Sequence, residues 1–113
     1  MNKQERAEYA NALKQSIDAT TAEIAMLTEL VKPISPENAI GRLTRMEAIN
    51  TKSINEATLR LANNRLQGLN RALTHIDDPD LGLCHSCDNP IPFKRLLLTP
   101  ESTECVKCLE ERE

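Results

Sequence analysis

Aromatic side chains are almost missing from this chain of 113 residues: Tyr9 and Phe93 stand alone, and there is no Trp. Aromatics usually supply much of the buried area of a globular core, so the expectation is a narrow apolar seam rather than a thick core. Long hydrophobic runs are missing too. Nothing approaches the ~20 apolar residues of a membrane span. The opening MNKQERAEYANALKQ has no apolar signal-peptide core, so a cytoplasmic protein is expected. A positive balance is also absent. The net charge is −3, whereas a protein that binds nucleic acid through phosphates is basic. The segment 32–52 departs from this, with Lys32, Arg42, Arg45 and Lys52 against Glu37 and Glu47. It reads either as ordinary solvated surface or as a contact surface for an acidic partner.

Cysteine is absent from residues 1–83, and four cysteines then follow as Cys84-x2-Cys87-x17-Cys105-x2-Cys108. In a reducing compartment this spacing favours a metal site over two disulfides. Two Cys-x2-Cys knuckles separated by ~15–20 residues give zinc its four soft ligands in a tetrahedron and leave no open position. The predicted site is structural, with one Zn2+. A redox Cys-x-x-Cys needs a βαβ setting, which this chain lacks. His85 reads as a loop residue, and His75 has no assigned chemistry beyond favouring a helix end. So short a segment cannot bury enough surface to fold alone, and zinc supplies the missing stability. Leu83, Ile91, Phe93, Leu96, Leu97 and Leu98 are its expected small core. The reading places a short bulged β-hairpin after the first knuckle, and a final helix from near Thr103 that includes Cys105 and Cys108.

Neither glycine nor proline occurs before Pro33. Asn2 and Glu5 form a capping-box pattern. Ala10, Leu13, Ile17, Thr20, Ile24, Leu27 and Val31 then recur at steps of 3 and 4, a heptad seam with one polar interruption. The prediction is a helix over about residues 3–32. Pro33 stops it, Ser35 caps the next helix, and Pro36 suits that helix's first position. A second run reads Ile40, Leu43, Met46, Ile54, Ala57, Leu61, Leu66, Leu69, Leu73 and Ile76, ending at Asp77-Asp78-Pro79. Gly68 within it marks a close packing contact. Two long helices on a short loop lie antiparallel. The fold class is therefore mainly α: a helical hairpin over 1–79 with its tip at about 33–38, then a zinc-finger module and C-terminal helix over 80–113. The second helix outruns the first, and the module is expected to cover the surplus at Leu69, Leu73 and Ile76.

The layout resembles the DksA/TraR family of bacterial transcription regulators. The resemblance rests on Gly82-Leu83-Cys84-x-x-Cys87, Ile91, Arg95-Leu96, Pro100 and Cys105-x-x-Cys108, and over 1–79 on architecture alone. It implies a regulator that binds RNA polymerase by inserting the hairpin into the secondary channel, without contacting DNA. It also implies a monomer, with a homodimer as the alternative. Asp88 stands where the family usually has Gly. At the tip, Glu37 and Ala39 match the second acid and the Ala of the family's Asp-x-x-Asp-x-Ala, while Ile34 replaces the first acid. Glu37, Ala39, Arg42 and Arg45 are the candidate partner-binding residues, and Arg95 reads as structural. The competing reading is a zinc-capped adaptor or dimerisation module for another protein. An enzyme is not expected, since no open metal site, nucleophile–base pair or phosphate-cradling glycine loop is present. Direct nucleic-acid binding by the finger is disfavoured, because residues 84–113 carry six acidic and four basic residues and one aromatic.

Overall fold

The computed structural model describes residues 1–32 and 41–112, without the side chains of 41–45 and 112. Helix α1 spans Lys3–Leu30, and its start is the capping box expected from Asn2 and Glu5. The Asn2 side chain accepts from the Glu5 amide at 2.7 Å, and Glu5 Oε1 accepts from the Asn2 amide at 3.2 Å. At the other end the Val31 amide bonds the Leu27 carbonyl. Helix α2 spans Gly41–Thr74 and packs on α1. It closes in a tightened turn, with the His75 and Ile76 amides on the Ala72 and Leu73 carbonyls. The hairpin makes the molecule elongated, at 59 × 30 × 18 Å.

On α1 the predicted seam is the observed one. Leu13, Thr20 and Leu27 are buried one heptad apart, with Ala10, Ile17, Ile24 and Val31 half-buried between them. On α2 it is shifted. Met46, Ile54 and Leu61, expected inside, are 54%, 66% and 69% exposed. The inward rows are instead Ala48, Asn55, Ala62, Leu69 and Ile76, and Lys52, Leu59, Leu66 and Leu73. The reason is the step from Leu61 to Leu66. A seam advances by 3 or 4 residues, so a step of 5 leaves the two halves of the apolar run on different faces. Only one half can face α1. Leu69 packs with Tyr9 and Leu13 in the core, beside Leu73 and Ile76, and this cluster decides the phase. Carried towards the tip it lands on Ala62 and Asn55, one residue past Leu61 and Ile54. The predicted Ile40 lies outside the described residues, as does the tip at 33–38.

The core lies where the hairpin meets the cysteine segment. Tyr9, Leu13, Leu69, Cys84, Ile91 and Leu96 are its buried members, flanked by Leu73, Ile76, Leu81 and Phe93. The surplus end of α2 is thus covered as expected. Within the segment the β-hairpin is corrected: among the described residues there is no strand, only a single antiparallel bridge, Leu83 to Pro90. Pro90 and Pro92 lack the amides that would extend a ladder. The chain instead turns at Pro92 into a short helix, α3 (Phe93–Leu98), and the Pro92 carbonyl before it accepts from the Arg95 and Leu96 amides. On that helix Leu98 is 81% exposed, contrary to its expected place in the core. The last helix, α4, spans Val106–Arg112. It starts after Cys105 rather than near Thr103.

Candidate metal centre

The two knuckles reach one point by different routes. Gly82, at φ +90°, turns the chain after α2. Its carbonyl accepts from the Ile91 amide at 2.7 Å, which pins both ends of the first knuckle together. Inside the loop the Asp88 amide bonds the Cys84 carbonyl at 2.9 Å, and the Cys84 amide bonds the Asn89 carbonyl at 2.8 Å. This closure needs a left-handed residue, and Asp88 supplies it at φ 60°. Asp tolerates that conformation where most side chains do not. The second knuckle straddles the start of α4. It is held to the first by the His85 amide on the Thr103 carbonyl (2.9 Å) and by Ser86 Oγ donating to Glu104 Oε1 (3.2 Å).

The sulfurs of Cys84, Cys87, Cys105 and Cys108 all lie within 4.8 Å of one another. Cys84 Sγ is 3.6 Å from Cys108 Sγ, and Cys87 Sγ is 3.7 Å from Cys105 Sγ. Four sulfurs held ~2.3 Å from a tetrahedral zinc are about 3.8 Å apart. The set therefore fits a metal of that size, and these separations are far too long for S–S bonds (~2.05 Å). Cys84 is buried and Cys87 exposed, with the other two between. The Cys105 amide donates to Cys84 Sγ at 3.3 Å. That bond, with further help from the amides of the first knuckle, outweighs burial and lowers the Cys84 thiol to about pH 6. Cys108 goes the other way, because the sulfurs of Cys105, Cys87 and Cys84 crowd it. One thiolate is favoured and the next is opposed, as expected of a nest of sulfurs that needs a cation among them. The His85 ring is exposed and outside the cluster. His75 Nδ1 sits 2.9 Å from Asp78 Oδ2 at the end of α2.

Glu37 and Ala39 lie outside the described residues. Arg42 and Arg45 fall in the opening turns of α2, at the end of the hairpin remote from the cysteines. Arg95 is half-buried on α3, where its carbonyl accepts from the Thr99 amide.

Sequence reasoning missed the joints that fix the hairpin to the cysteine segment. Tyr9 donates its hydroxyl to the Pro100 carbonyl, and Arg6 donates to the carbonyls of Ile76 and Asp78. Arg65 pairs with Glu101 at 3.2 Å. Beside that pair a Cβ added at Gly68 would lie 3.4 Å from the Glu101 Cβ, the close approach expected there. For Tyr9 a signal existed, since an aromatic in a chain with so few belongs in its core.

No protein-family model matches the chain. It is 30% identical over 108 residues to an uncharacterized protein of Aquifex aeolicus (strain VF5), a match covering 94% of this chain and 69% of that protein. The two belong to one family. Among solved structures, transcription factor DksA2 from Pseudomonas aeruginosa aligns with a TM-score of 0.74 and 21% identity, over 99% of this chain and 85% of that one. The helical hairpin and the four-cysteine cluster define the class by architecture, a DksA-like fold that carries four clustered cysteines. The particular likeness to DksA2 is one of fold along almost the whole chain.

Proposed function

We propose that this protein is a zinc-stabilised regulator of transcription that binds RNA polymerase through the secondary channel and does not contact DNA. The observation that carries this reading is the full-length match to the fold of transcription factor DksA2. Cys84, Cys87, Cys105 and Cys108 hold one zinc ion, which has no catalytic position and sets the segment that grips the open end of the hairpin. The mechanism is steric and electrostatic. The cysteine end stays outside, and the tip, with Glu37, Ala39, Arg42 and Arg45, changes conditions near the active centre. With a single acid at the tip, location in the channel and strength of effect are separable properties.

The test is binding of the zinc-loaded protein to purified bacterial RNA polymerase, with a known channel binder as competitor. Competitive binding at micromolar or tighter affinity is expected. Absence of binding at tens of micromolar would remove this reading. The second reading, an adaptor for another protein, draws on the exposed Ile54 and Leu61 of α2. It predicts that substitutions at the tip leave partner binding unchanged.

A further inference from the structure

The interior of the hairpin changes along its length. Beside the cysteine segment, α1 gives Tyr9, Leu13 and Ile17 and α2 gives Leu69, Leu73 and Ile76 to one contiguous core. That core extends no further along either helix. The next buried residue of α1 is polar, Thr20. Beyond it, over 21–32 and 46–58, Leu27 is the one buried side chain among the described residues. The inward residues of α2 in this stretch are Ala48, Lys52 and Asn55. They offer a methyl, a charged side chain whose Nζ lies 3.9 Å from Glu56 Oε1, and an amide. Tertiary burial of an apolar face is what holds most protein helices, and here little apolar area leaves water.

Local preference is weak at the same place. Residues 49–58 read INTKSINEAT, and seven of the ten are Ile, Asn, Thr or Ser, poorer helix formers than Ala, Leu, Lys or Glu. Thr28 and Thr58 also donate back to the carbonyls of Ile24 and Ile54, at 2.7 and 3.0 Å. Such bonds slightly destabilise a helix.

We infer that the hairpin is built as two cooperative units, and that the half towards the tip, residues 21–32 with 46–58, opens by itself while the base stays folded on the cysteine segment. Opening the tip half gives up Leu27 and some half-buried contacts, whereas opening the base gives up the whole core. The fold thus carries an arm whose order a binding partner can set without disturbing the cysteine cluster. This inference does not depend on the polymerase reading.

The test is amide hydrogen exchange of the zinc-loaded full chain by NMR, under conditions where exchange reports the opening equilibrium. Amides of residues 24–30 and 49–58 should be protected at least ~10-fold less than those of 10–17 and 66–73. Asn55→Leu puts an aliphatic side chain into the tip half of the seam. It should raise protection in that half at least ~10-fold and leave the base unchanged. Asn50 is exposed, and Asn50→Leu makes the same replacement outside the seam. It should raise protection less than ~3-fold, through helix preference alone. Equal protection along both helices in wild type overturns the inference. So does Asn55→Leu if it raises tip and base together, the mark of a single unit, or raises neither. An effect of Asn50→Leu as large as that of Asn55→Leu overturns it too.

Discussion

Tyr9 shows how much one residue of an aromatic-poor chain can carry. It is 2% exposed, and its hydroxyl reaches from α1 to the Pro100 carbonyl beyond α3. Burial first, then the Glu101 carboxylate, raises its pKa above 10.0. The folded state therefore holds this proton more tightly than the unfolded state. Its contribution is fully present below about pH 10 and is lost as pH rises beyond it. Tyr9→Phe should cost ~1–2 kcal/mol at neutral pH by leaving the carbonyl unpaired, and denaturant titrations should show the gap from wild type narrowing above about pH 10. At the cysteines, Cys108→Ser should lower bound zinc well below one ion per chain in a colorimetric metal assay. Gly82 is a backbone case. At φ +90°, with Met1 Cε 3.1 Å from an added Cβ, Gly82→Ala should cost at least ~1 kcal/mol in thermal or urea unfolding.

For the elements, the informative comparison is between neighbours on α2. Leu61 is 69% exposed and Ala62 is 6% exposed. Leu61→Gln should change unfolding free energy by less than ~0.5 kcal/mol, whereas Ala62→Gln forces a longer polar side chain into the seam and should cost ~1–3 kcal/mol. The reverse ranking would mean that the Met46–Leu61 run faces α1 after all. That two long helices exist was legible from capping and spacing: Asn2 and Glu5 opened α1, and Thr20 was the polar break in its seam. The phase of α2 was not, because two apolar registers coexist in it and periodicity alone gives neither priority. The short helix α3 was hidden for a related reason. Pro90 and Pro92 excluded a regular strand, but the choice of a helix after Pro92 depends on burying Leu96 in the shared core.

At the scale of the molecule, the hairpin and the cysteine segment share one core, so loss of metal should be felt in both. Chelation should unfold the segment, strip cover from Leu69, Leu73 and Ile76, and lower the helical signal of the α2 end as well. Hydrogen exchange before and after chelation would locate the loss. Protection should fall around residues 66–76 and persist around 20–27, where the hairpin seam does not use the segment.

What the sequence determined by itself is what local chemistry and fixed spacing determine. Four thiols in two Cys-x2-Cys knuckles define a tetrahedral donor set, an Asn-x-x-Glu start caps a helix, and a proline-flanked break between two periodic runs makes a hairpin. The tertiary structure decided what depends on competition for a single interior. It chose which of two apolar rows on α2 faces inward, and it turned the residues after Pro92 into a helix in place of a strand. It also brought Arg6, Tyr9 and Glu101 into joints between segments far apart in the chain. Spacing is a property of neighbours along the chain, whereas burial goes to whichever face meets the larger cluster, and here that cluster is the one around Tyr9, Leu13 and Leu69.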